Sequence, residues 1–227
     1  MRSVISYLLA CAFLPVLVQG WQESPHEPGL WSTEATGLFY EIGTIDKPGT
    51  RRLVIASPNN KFRVIVRDAG FYIEGNGNRL SGPEDEGIYP LAEMAWCPDS
   101  RAFFLTQSDG GNVGGWFLNV YLMSDKYVKL IDITQQVKKD FMTRYKCVVP
   151  EDPTANEEPN IAAIKWFNDS KELLLLAEVP PHSSCPEMGK LMGYVVSVPS
   201  GNILSRYEEQ HLRARWGRFL GERHRVR

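Results

Sequence analysis

Histidines, cysteines and clustered carboxylates are the residues of this chain that could do chemistry, and their spacing decides which chemistry is open. The histidines are His26, His182, His211 and His224. No two of them have the spacing of a metal-binding pair on one helix face. His182-Ser183-Ser184-Cys185 sets a histidine close to a cysteine, but one His and one Cys do not make a four-ligand zinc site. A bridged cysteine is also no nucleophile. Asp99 and Asp169 recur in matching turns, where an Asp hydrogen-bonds its neighbouring backbone and folds the turn. Gly110-Gly111-Asn112-Val113-Gly114-Gly115 lacks the lysine and following helix of a phosphate loop. Glu84-Asp85-Glu86 and Glu157-Glu158 lack the alternation of a calcium loop, and no Gly-x-Ser-x-Gly elbow is present. These residues imply no catalytic set, no metal and no cofactor. The expected class is a non-enzymatic binding or assembly protein. The alternative is a hydrolase or lyase whose catalytic residues converge from several loops.

Charge and targeting narrow the setting. The 227 residues carry a formal net charge of −2, which argues against nucleic-acid binding through bulk charge. The charge is uneven: residues 206–227 hold seven Arg and three Glu, a net of +4, against −7 for residues 21–205. Arg213, Arg215 and Arg218 are therefore candidates for a basic contact with an acidic partner or anionic surface, although an amphipathic helix packed on the fold, with its Arg face wet, already explains them. Arg2, the apolar run Val4–Val18 and the small residue Gly20 make a signal-peptide pattern over residues 1–20. No later segment has the roughly 20 apolar residues of a membrane span. The expectation is a secreted or periplasmic protein that is not transmembrane.

In that oxidising setting cysteine pairing matters. Without residues 1–20 the cysteines are Cys97, Cys147 and Cys185. Cys97 follows Trp96 in an apolar run and reads as a small buried thiol. Cys147 and Cys185 both stand in Pro-flanked loops and are the expected bridge.

The elements that position these residues repeat. Ala56-Ser57-Pro58-Asn59-Asn60-Lys61, Trp96-Cys97-Pro98-Asp99-Ser100-Arg101 and Trp166-Phe167-Asn168-Asp169-Ser170-Lys171 each break one strand and start another. Downstream of each comes a Tyr-containing strand (Tyr72, Tyr121, Tyr194), a tight turn and a last strand. Four short antiparallel strands per unit is the pattern of a propeller blade. These turns, with the Tyr194–Leu204 hairpin, resemble the WD-repeat-like propellers, especially the secreted group related to the periplasmic Tol-system propeller. The resemblance covers residues 51–204. Ala56 departs from the tryptophan of the other two turns, and the Gly-His and Trp-Asp pairs of strict WD repeats are missing.

The expected fold is mainly β, with three propeller-like four-stranded repeats over residues 51–205, a helical insertion at 132–148 and a basic amphipathic helix and tail at 206–227. Closed propellers usually need about four or more blades. Residues 21–50 could supply part of a further blade through Leu38-Phe39-Tyr40-Glu41-Ile42, or a homodimer could complete an open arc. A β-sandwich built from the same hairpins is the other architecture. Ile133, Val137, Phe141 and Tyr145 recur every fourth residue behind Asp132 and Gln135, which predicts the insertion helix. Ser205 and Glu208 predict the start of the second helix. The long connections, Gln107–Gly115, Pro180–Lys190 and Asp132–Asn160, leave a four-stranded meander on one edge, and such insertions usually mark the working face. His182, Asn112 and Trp116 are its candidate contacts, toward a protein or glycan partner.

Overall fold

The computed structural model describes residues 27–38, 43–44, 47–48, 53–67, 70–82, 87–111, 114–149 and 152–225. The expected signal segment 1–20, together with Asn112 and residues 39–42, lies outside the described residues. Three short strands come first: β1 (Thr36–Gly37), β2 (Gly43–Thr44) and β3 (Lys47–Pro48), of which β2 and β3 pair with each other. The first repeat unit is the antiparallel meander β4 (Leu53–Ala56), β5 (Phe62–Arg67), β6 (Gly70–Gly75) and β7 (Asn78–Arg79). The second is β8 (Leu91–Trp96), β9 (Ala102–Ser108), β10 (Trp116–Met123) and β11 (Val128–Ile131). An insertion follows, containing α1 (Gln135–Arg144) and the hairpin of β12 (Val148–Val149) and β13 (Asp152–Asn156). The third unit is β14 (Asn160–Phe167), β15 (Glu172–Glu178), β16 (Leu191–Ser197) and β17 (Ile203–Glu208), followed by α2 (Glu209–Trp216) and a 3-10 turn at Gly217–Phe219. The chain is mainly β, as expected.

The units stack face to face, and their side-chain patterns follow from that. In β9, Phe103 and Leu105 pack with Val64 and Ile73 of the first unit, while Ala102 and Phe104 pack with Leu173 and Leu175 of the third. In β15, Leu174 and Leu176 turn the other way, toward Leu212 of α2 and Trp31. A strand buried on both faces has no polar side to show, so β15 reads as an unbroken leucine run. In the first unit β5 keeps Arg63 and Arg67 exposed while Phe62, Val64 and Val66 face the second unit; Ile65, on the arginine side, is buried as well, so the half-buried alternation is partial.

The repeated turns form a ladder between units. The Trp96 indole N–H donates to the Ile55 carbonyl, and the Trp166 indole N–H donates to the Ala95 carbonyl, both at 3.3 Å. Ser100 Oγ accepts from the Asn59 backbone N–H and Ser170 Oγ from that of Asp99. Each unit thus reaches back to the one before it, and Ala56 stands where the first unit would present a tryptophan. Asn60, Ser100 and Ser170 hold positive φ of 58°, 65° and 72°. Within the turns Asn59 and Asp99 accept from the N–H two residues on, Lys61 and Arg101. Asp99 is partly buried, which opposes ionisation, but the hydrogen bonds from Cys97 and Arg101 outweigh this and lower its pKa to about 2. Asp99 therefore folds its turn.

Thr36 and Gly37 pair with Met94 and Glu93 and make the second sheet five-stranded. One expectation is corrected. The second helix does not begin at Ser205: Ser205, Arg206, Tyr207 and Glu208 pair with Val195, Tyr194, Gly193 and Met192, so β17 runs to Glu208 and the helix starts at Glu209. Partners across the sheet override a local capping signal there. Gly193 lets α2 lie close, since a Cβ at that position would come within 2.5 Å of Leu212 Cδ1. In the insertion Ile133, Val137 and Phe141 plug the seam between the second and third units, with Tyr145 against them, and Asp132 accepts from Thr134 and Gln135 at the helix start.

Candidate functional site

An antiparallel meander sends its second-to-third loop and its exit connection to the same edge. That edge here carries the loops 109–115 and 180–190, the insertion 132–159, and the connection 80–90. Cys147 of the insertion and Cys185 of the third-unit loop lie at disulfide distance, with Cα atoms 5.2 Å apart. Cys97 is buried and unpaired, its thiol donating to Asp99 Oδ1 at 3.0 Å. A further bond joins loop to insertion, Ser183 Oγ donating to Glu157, and within the insertion Glu157 N–H donates to the Cys147 carbonyl at 2.7 Å and Lys138 pairs with Glu158 at 2.6 Å. The edge presents Tyr89 and Met188, 41% and 52% exposed, together with exposed His182. Tyr89 stands edge-on to Phe117, with ring centroids 5.7 Å apart. A groove of about 190 Å³ beside it is lined by Phe117, Asn119, Leu130, Asp132, Lys138 and Ile161 among others.

Beneath that edge lies a buried polar cluster built from both ends of the described chain. Trp116 N–H donates to Asn160 Oδ1 at 3.0 Å, and Asn160 Nδ2 donates to Glu178 Oε2 at 3.1 Å. Arg223 closes the ion pair with Glu178 at 2.9 Å, and its guanidinium lies 4.8 Å from the Trp31 ring and 5.7 Å from Trp116. His224 packs 4.8 Å from Trp31. Burial first, and the charges of Arg223 and Arg213 next, lower its pKa to about 3, so it is neutral at ordinary pH. Its Nε2 is 3.9 Å from Glu178 Oε1, too far for a hydrogen bond. Glu93 points into the hairpin of the N-terminal segment and accepts from the Trp31 N–H at 3.0 Å, with Leu30 and Ser32 also donating. Burial outweighs those donors and raises its pKa to about 8. Ser32 pairs with Leu220, and Gly221 N–H donates to the Trp31 carbonyl at 2.7 Å. The cluster fastens both ends of the described chain onto strands of the second and third units.

The expected contacts separate. His182 is exposed on the loop-bearing edge. Trp116, expected on that face, is 2% exposed and forms a wall of the buried cluster, because Trp31 and Arg223 arrive over it from the two ends of the chain. Arg213 is held by Glu209 at 2.7 Å and by the His224 carbonyl, whereas Arg215 and Arg218 are exposed. Glu93, Asn160, Glu178 and Arg223 escaped sequence reasoning. A signal was present for Glu93, a lone acid inside the apolar run Leu91–Trp96. Among the described residues no group of three or more His, Cys, Asp or Glu could hold a metal ion, and no helix is long and apolar enough to cross a membrane. Comparison with protein families, curated proteins and solved structures finds nothing that matches this chain.

Proposed function

We propose that this chain is a secreted or periplasmic binding and assembly protein. Its three units act as propeller-like blades in an open arc, and the loop-bearing edge engages a protein or glycan partner. The observation that carries this reading is the contrast between edges. One is made of short turns bonded unit to unit; the other gathers every long connection and stiffens two of them through Cys147 and Cys185. A stiffened loop loses less entropy on binding, which favours recognition. Tyr89, Phe117, His182 and Met188 give this edge the mixed aromatic and polar character of a recognition surface.

The test is a panel of glycans and extracellular proteins applied to the oxidised chain. Binding should be lost when Pro180–Lys190 is replaced by a short Gly-Ser turn and kept when Tyr127, exposed on the opposite edge, becomes Ser. Turnover of ester, peptide or glycan substrates that disappears with the same loop replacement would overturn the proposal.

A further inference from the structure

On the outer face of the third unit aromatic rings and cations interleave. Trp216 of α2 has its ring 4.7 Å from Phe167, 6.4 Å from Tyr207 and 6.2 Å from Phe219. All four rings are half-buried. The Arg215 guanidinium lies 4.8 Å from the Trp216 ring and 5.5 Å from Tyr207, and Arg218 lies 4.5 Å from Phe219. Lys165 sits 4.1 Å from Phe219 and is paired with Glu34. Beside the rings runs an open groove of about 480 Å³ lined by Arg206, Tyr207, His211, Ala214 and Arg215.

The positive charges of this face are not equivalent. Arg206 is neutralised by Asp140 at 2.9 Å and Arg213 by Glu209 at 2.7 Å. Arg215 and Arg218 have no carboxylate partner among the described residues; Arg215 donates to the Tyr207 hydroxyl at 3.2 Å. A guanidinium laid over a ring has already given up much of its freedom and keeps N–H groups for a carboxylate, which it can grip bidentately. Arginine beside tryptophan and tyrosine is also the composition that dominates binding energy in protein interfaces.

We infer that this face docks an acidic segment of a partner protein. Carboxylates of the partner meet Arg215 and Arg218, and a neighbouring apolar side chain seats in the groove against Tyr207. A lipid surface fits less well, because the rings are packed against one another and half-buried, whereas membrane insertion needs apolar side chains that project. A sulfated polymer or nucleic acid would call for a longer track of unpaired cations.

The test uses the full chain and a fluorescent peptide alternating Glu with Leu, read by anisotropy. Arg215→Gln with Arg218→Gln should weaken binding roughly tenfold, with the thermal midpoint unchanged to show that the fold survives. Arg225→Gln removes a charge from the exposed tail and should change affinity by less than about twofold. A peptide with Ser for Leu should bind more weakly than its parent. The proposal fails if the acidic peptide does not bind at millimolar concentration. It fails too if Arg225→Gln weakens binding as much as Arg215→Gln, or if the double variant binds as the parent does. Heparin or phosphatidylserine vesicles binding where the peptide cannot compete would reassign the face to those ligands. Self-association of the parent chain lost in the double variant would reassign it to a second copy.

Discussion

Arg223 and Arg215 come from the same C-terminal stretch, and each holds its guanidinium 4.8 Å from a tryptophan ring, Trp31 for one and Trp216 for the other. Their surroundings give these matching contacts different meanings. The Arg223 side chain is 13% exposed and paired with Glu178, itself 7% exposed. Arg215 is exposed and, among the described residues, its hydrogen-bond partner is a phenol. A buried ion pair stripped of one partner leaves an uncompensated charge, whereas an exposed cation returns to water at little cost. The ring contact alone does not tell a fastening from a contact surface; burial and the presence of a counter-charge do.

The largest expected effect follows from the buried member. Arg223→Ala should destabilise the fold by about 3–5 kcal/mol, measured by urea denaturation, since Glu178 and Asn160 are left facing a low-dielectric gap. Replacing Arg223 and Glu178 together by methionine should cost far less, because no unpaired charge remains. A loss below about 1 kcal/mol for the single change would show that both chain ends are held by packing alone.

Glu93 sharpens the same side of the comparison through pH. Its pKa rises from 4.5 to about 8 in the fold, so the folded state keeps a proton that the unfolded chain releases. Stability from this group is full below about 4.5, falls as pH rises through the interval, and levels off above about 8. The groups facing it are the N–H donors of Leu30, Trp31 and Ser32, with the neutral His224 packed at a tilt against Trp31. Glu93→Gln mimics the protonated form, so the difference in unfolding free energy between variant and parent should grow in the variant's favour from pH 5 to pH 8. An unchanging difference would mean that Glu93 is ionised in the fold.

These residues also mark how far the sequence could be read. The turns announced the strands, because Pro-Asp-Ser-Arg cannot continue a strand and each unit needs one such break. Glu172–Leu176 and Ala102–Thr106 lack alternation because both their faces are covered, a stacking that was not read from the runs themselves. Spacing within one unit carries no information about which group lies across the seam, so the bonds from Trp96 to Ile55 and from Asp99 to Ser170 were not legible. Trp116 was misplaced for the same reason. A tryptophan after a glycine loop reads as exposed until Trp31 and Arg223 are seen to cover it. The three tyrosines share a face but not a register. Tyr72 and Tyr194 stand opposite Ile65 and Leu175, whereas Tyr121 stands opposite Phe103, two positions away in the repeat.

A tryptophan with no cation over it among the described residues supplies the intermediate case. Trp166 is 6% exposed and bonds its indole N–H to the Ala95 carbonyl. Trp166→Phe keeps most of the ring volume and removes the donor, so a loss of about 1–2 kcal/mol in denaturant titration is expected. The residue opens the seam between second and third units, and amides of β14 and β15 should exchange faster with solvent deuterium in the variant. Unchanged exchange would mean that the ladder of turns follows from stacking and does not help to hold it.

The smallest expected effect belongs to Arg215. Its removal forfeits an exposed cation–ring contact and one hydrogen bond to Tyr207, each in competition with water. Arg215→Gln should therefore change unfolding free energy by about 0.5 kcal/mol or less and move the thermal midpoint by no more than about 1–2 °C. The residue's value as a docking contact depends on that smallness, since a guanidinium the fold needs is one that a partner cannot recruit without cost. A loss of 2 kcal/mol or more would put Arg215 in the same class as Arg223. The guanidinium would then be holding β17 to α2, and the charge left for an acidic segment would shrink to Arg218, too little for the tenfold effect expected of the pair.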